Sequence, residues 1–301
     1  MTMCIDIRCR PPHGQFLDYF NAMIPPDQRP RSFAMASLPL WFDEMRRAGI
    51  AQAVAAGGMN AGMRLGHRDI PPREITNAHV AELVAMYPER IIGIGGIDPS
   101  GHLHDPIEEI EKCTALGLKG VFLEPGRALP GCHPAELRLY PIYEALQRNG
   151  LCLNLQTSGP LGGDTIDYAH PRHIDRIAAD FPDLRIICCH GCYPFIREII
   201  AVCMRREHVF VAPDVYLRWP GTQDWVDAIN FQGEIGQGRF EDHFIFGTAY
   251  PYMDLVSYMN FFKSLPIREA AKEKILCGNA RRALHLDPQR YRDAWQTQPG
   301  L

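Results

Sequence analysis

Eight short, apolar, β-rich runs recur along this chain, and each is separated from the next by enough residues for a helix. They are Cys4 to Arg10, Ile50 to Ala56, Ile91 to Ile97, Leu118 to Glu124, Leu151 to Gln156, Arg185 to His190, Val209 to Val215 and His243 to Thr248. Alternation of this kind reads as parallel strands joined by crossover helices. The intervening stretches carry helix punctuation: Asp105 before Pro106 makes a cap and first-turn pair, and Gly117 closes that helix ahead of the next run. Tyr140 to Gly150, Pro171 to Pro182, Tyr193 to Arg206 and Ile267 to Ala283 read as further helices. Eight strands in 301 residues predict an α/β fold, a single-domain (β/α)8 TIM barrel over residues 1–301. The rival, a doubly wound open sheet, calls for a glycine-rich turn after its first strand. Here that strand ends in Arg10-Pro11-Pro12.

In such a barrel the loops after the strands ring the reacting face. The longer irregular pieces, Gly57 to Arg73, Pro125 to Pro134, Ser158 to Pro171 and Leu217 to Gly221, all follow strands. A formal net charge of -4 supplies no basic field, so neither a nucleic acid nor an anionic membrane is expected as partner. A small molecule is the default. No charged n-region precedes an apolar h-region, and no apolar run nears the roughly 20 residues of a membrane span. The chain therefore reads as soluble and cytoplasmic. Its 10 cysteines follow no regular spacing, which predicts reduced, buried thiols rather than a disulfide framework.

A period of two along the first run puts Asp6, Arg8 and Arg10 on one face, expected to point into the barrel mouth. Guanidiniums held away from water need carboxylates from the protein or from a ligand. Two answers are open and compatible. Asp6, Glu124 or Asp214 neutralises the arginines in an internal network, or an arginine, with Arg10 nearest the strand end, clamps a substrate carboxylate. His190 ends a buried run before Gly191, where a general base belongs, although a hydrogen-bonded histidine without chemical duty would fit as well. Asp214 after Pro213 and Glu124 before Pro125 are acids at strand ends, able to orient His190, share proton transfer or answer the arginines. Cys188, Cys189, His190 and Cys192 resemble a ligand cluster, but the spacing fits no standard zinc site and alternation sends Cys189 outward. Tyr216, Tyr250, Tyr252, Arg218, Trp219, Arg64 and His67 lie on loops after strands, where they can line a pocket for a planar anion. No P-loop and no Gly-x-Ser-x-Gly elbow occurs.

Four strings together resemble the amidohydrolase-related family that includes aminocarboxymuconate semialdehyde decarboxylase and the related aromatic-acid decarboxylases, hydratases and lactonases. They are Ile5-Asp6-Ile7-Arg8-Cys9-Arg10, Cys189-His190-Gly191, Phe246-Gly247-Thr248-Ala249-Tyr250-Pro251 and Ile275-Leu276-Cys277-Gly278-Asn279-Ala280-Arg281-Arg282. The resemblance implies a divalent metal held by His-x-His on the first strand, a His ending the fifth and Gly-Thr-Asp on the eighth. Those positions are Arg8, Arg10, Gln156 and Ala249. Neither guanidinium nor a methyl offers a lone pair, so this is a variant lacking the family's ligands, and no metal cofactor is expected. The family's sixth-strand histidine, often its acid/base, is matched by His190. The resemblance also suggests a homodimer.

Without zinc to bring the pKa of bound water from about 15.7 to about 7, unactivated amides make poor substrates. The first expectation is therefore a metal-independent hydrolase, a lactonase or activated-ester hydrolase of a small carboxylated substrate. His190 would activate water with Asp214, while Arg8 or Arg10 holds carboxylate or oxyanion and Glu124, Gln156, Tyr216 and Tyr250 complete the substrate site. The second is a metal-independent lyase, decarboxylating or hydrating an unsaturated or aromatic acid. The third is a non-catalytic barrel that binds a carboxylate effector.

Overall fold

Runs of Val, Ile and Ala buried on both faces suit parallel strands that are covered on either side. The computed structural model, which describes residues 4–233 and 239–287, arranges them so. Seven strands, β1 (Cys4–Asp6), β2 (Ile50–Ala56), β3 (Ile91–Ile97), β4 (Gly120–Leu123), β5 (Cys152–Gln156), β6 (Ile186–Cys189) and β7 (Val209–Ala212), pair in chain order, each parallel to the next. The eighth run closes the ring without regular strand pairing. On one side Val211 N–H donates to His243 O at 2.9 Å and Ile245 N–H to Val211 O at 2.8 Å. On the other, Ile7 N–H donates to Phe246 O at 3.1 Å and Cys9 bridges Tyr250. The fold is a (β/α)8 barrel.

Alternation along the strands separates two cores. Ile5, Ile7, Val54, Ile92, Ile94, Ile187, Cys189, Phe210 and Ile245 fill the barrel with Ala280, Ala283 and Leu284 from the closing helix. Cys4, Ala53, Ala55, Ile91, Leu153, Leu155, Cys188 and Val211 face the surrounding helices. Those helices begin as their caps dictate. Asp105 accepts from the Ile107 and Glu108 N–H groups, Ser37 from Leu40 and Asp254 from Ser257.

Several expectations change. The piece from Gly57 to Arg73 is a ribbon, since Gly58–Asn60 pairs antiparallel with Arg73–Ile75 and Met63–Leu65 with Arg68–Ile70. Cys189 points inward and Cys188 outward, the reverse of the expected phase. Along the first run Ile5 and Ile7 occupy the interior, so Asp6 is not on an inward face. Asp6 instead ends β1 and accepts from Arg8 N–H at 2.9 Å, a local turn that shifts the phase and lets Arg8 enter the mouth. The expected helix Ile267 to Ala283 is Glu269–Glu273 and Asn279–Leu284 around a π turn at Lys274–Gly278. There Ile275 O accepts from Phe246 N–H, tying the helix to the eighth run. All ten cysteines are buried and free, and no described helix is long and apolar enough to cross a membrane.

Candidate active site

Three of the strand ends are bent by backbone that non-glycine residues rarely adopt: His190 has φ 73, Asp214 φ 45 and Ala249 φ 62. Each such residue costs on the order of 1–3 kcal/mol, and such strain collects where function requires it. It breaks the alternation, so His190 joins Cys189 on the inner side instead of leaving it. Arg8 Nη2 donates to His190 Nε2 at 2.9 Å, and His190 Nδ1 meets Asp214 Oδ1 at 2.9 Å. Arg8 Nε lies 3.3 Å from Asp214 Oδ2, completing a ring of three residues. An arginine can only donate, so Nε2 is the acceptor and Nδ1 carries the proton toward Asp214. Burial pushes the His190 pKa down to about 4, Asp214 pulls it up and Arg8 pushes it down again. The imidazole is neutral near pH 7.

Four guanidiniums meet in the mouth. Besides Arg8 and Arg10 they include Arg73 from the ribbon and Arg127 from the loop after β4, all at most 7% exposed. Arg8 and Arg73 both lie 5.1 Å from the Phe122 ring. Glu124 answers two of them, with Arg127 at 3.0 Å and Arg73 at 3.5 Å, and accepts from Asn60 at 2.8 Å. Burial would raise the Glu124 pKa, but Arg127, Arg73 and Asn60 outweigh it and hold the carboxyl below its ordinary range. Asp214 answers Arg8. Asp6 is spent on the Thr248 hydroxyl at 2.6 Å and backbone N–H at 3.0 Å.

Arg10 has no carboxylate partner among the described residues. Its Nη1 donates to Arg8 O at 3.2 Å and Tyr250 O at 3.1 Å, and its guanidinium lies 5.4 Å from the Phe20 ring. Burial, then Arg8 and Arg73, pushes its pKa down to about 9, still charged at pH 7. Four guanidiniums thus face Glu124 and Asp214, with Asp6 the third carboxyl near Arg10, and the balance is positive. That is an anion-binding arrangement.

Of the residues expected at the site, Arg8, Arg10, Glu124, His190 and Asp214 form this network. Gln156 ends β5 in register with Cys189 and is buried with Oε1 unpartnered. Tyr216 presents its ring edge to His190 at 5.5 Å, stacks on Tyr193 at 5.0 Å and reaches Ser158 Oγ at 2.7 Å. Tyr250 corrects an expectation: its hydroxyl is held by Ser32 and Glu44 among the outer helices, and only its carbonyl serves the site. Arg64 pairs with Asp69 on the exposed ribbon, and His67 is exposed beside it. Arg73, Arg127 and Asn60 were not foreseen. Arg127 follows Glu124 by three residues, a spacing that a turn converts into an ion pair, whereas Arg73 sits in a piece read as irregular.

A divalent ion at the strand ends would need lone pairs that these residues lack. Arg8, Arg10 and Ala249 supply none, both His190 nitrogens are engaged, and the surplus charge is positive. The mouth does not fit the metal that the resemblance implies. Gln156 Oε1 alone is no ligand set.

A family profile described as amidohydrolase matches residues 5–286. The 2-amino-3-carboxymuconate-6-semialdehyde decarboxylase of Dictyostelium discoideum is 27% identical over 248 residues, 71% of this chain and 67% of that one. Among solved structures, an uncharacterised TIM-barrel protein of Bordetella bronchiseptica superposes with a TM-score of 0.81 at 34% identity, covering 94% of this chain and 98% of that one. The 5-carboxyvanillate decarboxylase of Sphingomonas paucimobilis shares the fold, with a TM-score of 0.67 at 16% identity over 95% of this chain and 100% of that one. A profile match over nearly the whole barrel, with the relative at 34% identity, makes this chain a member of the amidohydrolase family.

Proposed function

We propose that this protein is a metal-independent lyase that decarboxylates a small unsaturated or aromatic acid carrying a conjugated hydroxyl. The observation that carries the reading is Arg10, a buried guanidinium without a carboxylate, set beside a neutral His190 on Asp214. The decarboxylase from Dictyostelium favours a lyase over the hydrolase first expected from the sequence. So does the chemistry of the donor set: hydrolysis needs an activated water, whereas loss of CO₂ needs an electron sink and one proton at carbon.

Gripping the departing carboxylate tightly would stabilise the ground state as much as the transition state. Arg10 is therefore assigned to a second anionic group of the substrate, which the surplus positive charge of the mouth favours. Arg8 Nη2 turns from His190 to the conjugated oxygen. His190 Nε2, then free, takes that hydroxyl's proton while Arg8 carries the oxyanion that forms, and burial, which disfavours the imidazolium, makes it a ready donor in turn. It returns the proton to the carbon that bears the carboxylate. The C–C bond then breaks, its electron pair passes to the ring or enol oxygen held by Arg8, and CO₂ leaves. The oxygen regains a proton from water, so one proton is consumed per CO₂. Asp214 holds Nδ1 throughout.

A proton-balance assay near pH 6, with EDTA present, tests this against lactones, enol esters and unsaturated or aromatic acids. Proton uptake with CO₂ release, abolished in His190→Asn, is expected. Proton release on a lactone or ester would return the assignment to a hydrolase.

A further inference from the structure

Outside the mouth, two of the loops that ring it meet in a second cluster. His133 belongs to the loop after β4, Asp167 to the loop after β5, and His173 to the first turn of the helix Pro171–Asp180. His133 Nδ1 lies 3.4 Å from Asp167 Oδ2, and His173 Nε2 lies 3.5 Å from the same oxygen. All three atoms fall within 4.8 Å of one another. Both ring nitrogens are shielded from solvent and make no hydrogen bond. A shielded ring nitrogen without a hydrogen bond is costly, and two such nitrogens crowd one carboxylate oxygen that can receive at most a long ion-pair contact from each.

The separations supply it. Two ligands bound to zinc at about 2.0–2.1 Å with tetrahedral angles stand about 3.3 Å apart, whereas an octahedral arrangement with the same bonds would place them about 2.9 Å apart. The two measured edges, 3.4 and 3.5 Å, match the tetrahedral value. Asp167 is held ready, because Arg172 pairs with Oδ1 and leaves Oδ2 to the imidazoles. His133 is held by its neighbours, stacked between Tyr168 at 4.5 Å and His173 at 4.8 Å. The third pair, His133 and His173, lies within 4.8 Å, and one imidazole must turn out of the stack for both to reach one ion.

We propose that His133, Asp167 and His173 form a zinc-class metal site that ties the loop after β4 to the loop after β5, with solvent in the fourth place. The loops already run backbone to backbone: a Cβ on Gly126 would come within 2.1 Å of Gly162 O, and Arg127 donates to Leu161 O at 2.7 Å. An ion there would brace the segment that carries Glu124 and Arg127. It is a structural tie, separate from the chemistry proposed for the mouth.

The test is calorimetric titration of tag-free, chelator-stripped full-length protein with ZnCl₂, alongside Tm against added ZnCl₂. Wild type and His190→Asn are expected to bind one zinc per chain at micromolar affinity or tighter and to gain Tm. His133→Phe, which keeps the ring stack, and His173→Gln are expected to weaken binding about 100-fold or more and to lose the Tm response. Absence of micromolar zinc binding in wild type, or binding unchanged by both substitutions, would overturn the site. Should either variant fold poorly, Co²⁺ added to wild type decides: intense visible bands of tetrahedral cobalt support it, and a weak octahedral spectrum refutes it.

Discussion

Replacing Arg10 with methionine separates what the residue does for binding from what it costs the fold. Arg10 is 3% exposed, and its guanidinium is pushed from its ordinary value down to about 9. That difference corresponds to a penalty on the order of 5 kcal/mol against the charged form. The penalty is in full force at pH 7 and fades only as pH climbs through about 9. Part of it is offset by the donations to Arg8 O and Tyr250 O and by the Phe20 face. Tyr250 O keeps a partner after truncation, the backbone N–H of residue 10. Replacing even a buried ion pair by apolar groups of similar volume is often neutral or stabilising by about 1–4 kcal/mol, and Arg10 has no carboxylate to leave behind, so Arg10→Met should stabilise the protein by about 1–3 kcal/mol. Urea unfolding at pH 7 measures the gain, and Tm against malonate, fumarate and salicylate measures anion binding. Stability should rise and the carboxylate response should fall. A loss of more than about 2 kcal/mol with the response intact would show that Arg10 is a structural cation and refute the reasoning.

Glu124→Gln should act in the opposite direction. It strips two buried guanidiniums, Arg73 and Arg127, of their counter-ion, and a cost of about 3–5 kcal/mol in urea unfolding is expected; a change below about 1 kcal/mol would mean that the pairs contribute nothing. His190 links stability to pH. Its folded-state value, about 4, lies below the ordinary 6.5, so the unfolded chain binds more protons between those limits. The stability tied to neutral His190 is whole above pH 6.5 and is lost as pH falls toward 4, by about 2 kcal/mol between pH 7.5 and 5. Unfolding of wild type minus His190→Gln at both pH values isolates it, and equal losses in the two proteins would contradict the low value.

How much of this was legible in the sequence follows from where local rules hold. Ile50–Ala56 and Ile91–Ile97 emerge with the expected bounds because their apolar runs carry no competing signal. The eighth run was legible as a segment but not as an irregular one, because what disrupts it is tertiary: Asp6 takes the Thr248 N–H, and Ile275 takes that of Phe246. His190 and Asp214 were placed at strand ends correctly. The reason they face each other is a pair of positive φ angles that no propensity at His or Asp announces. Alternation failed for Asp6 and Cys189 at the first and sixth strands, where an early turn and a different phase override a count of two. Tyr250 was read from its position on a loop, but its ring is turned outward to Ser32 and Glu44, partners more than 200 residues away in the chain. Arg73 was out of reach for the same reason, since its partner Glu124 is brought to it only by the closed barrel.

In the proposed reaction a neutral His190, Arg8 and the carboxylate-free Arg10 take the place of a metal in removing CO₂ from an acid. The decisive measurement is turnover of a hydroxylated aromatic or unsaturated acid in D₂O by chelator-stripped protein, with and without added Mn²⁺. CO₂ release at the same rate in both is expected, with one deuterium at the carbon that lost the carboxylate and loss of both signals in His190→Asn. Release that depends on Mn²⁺, or hydrolysis without CO₂, would contradict the proposed reaction.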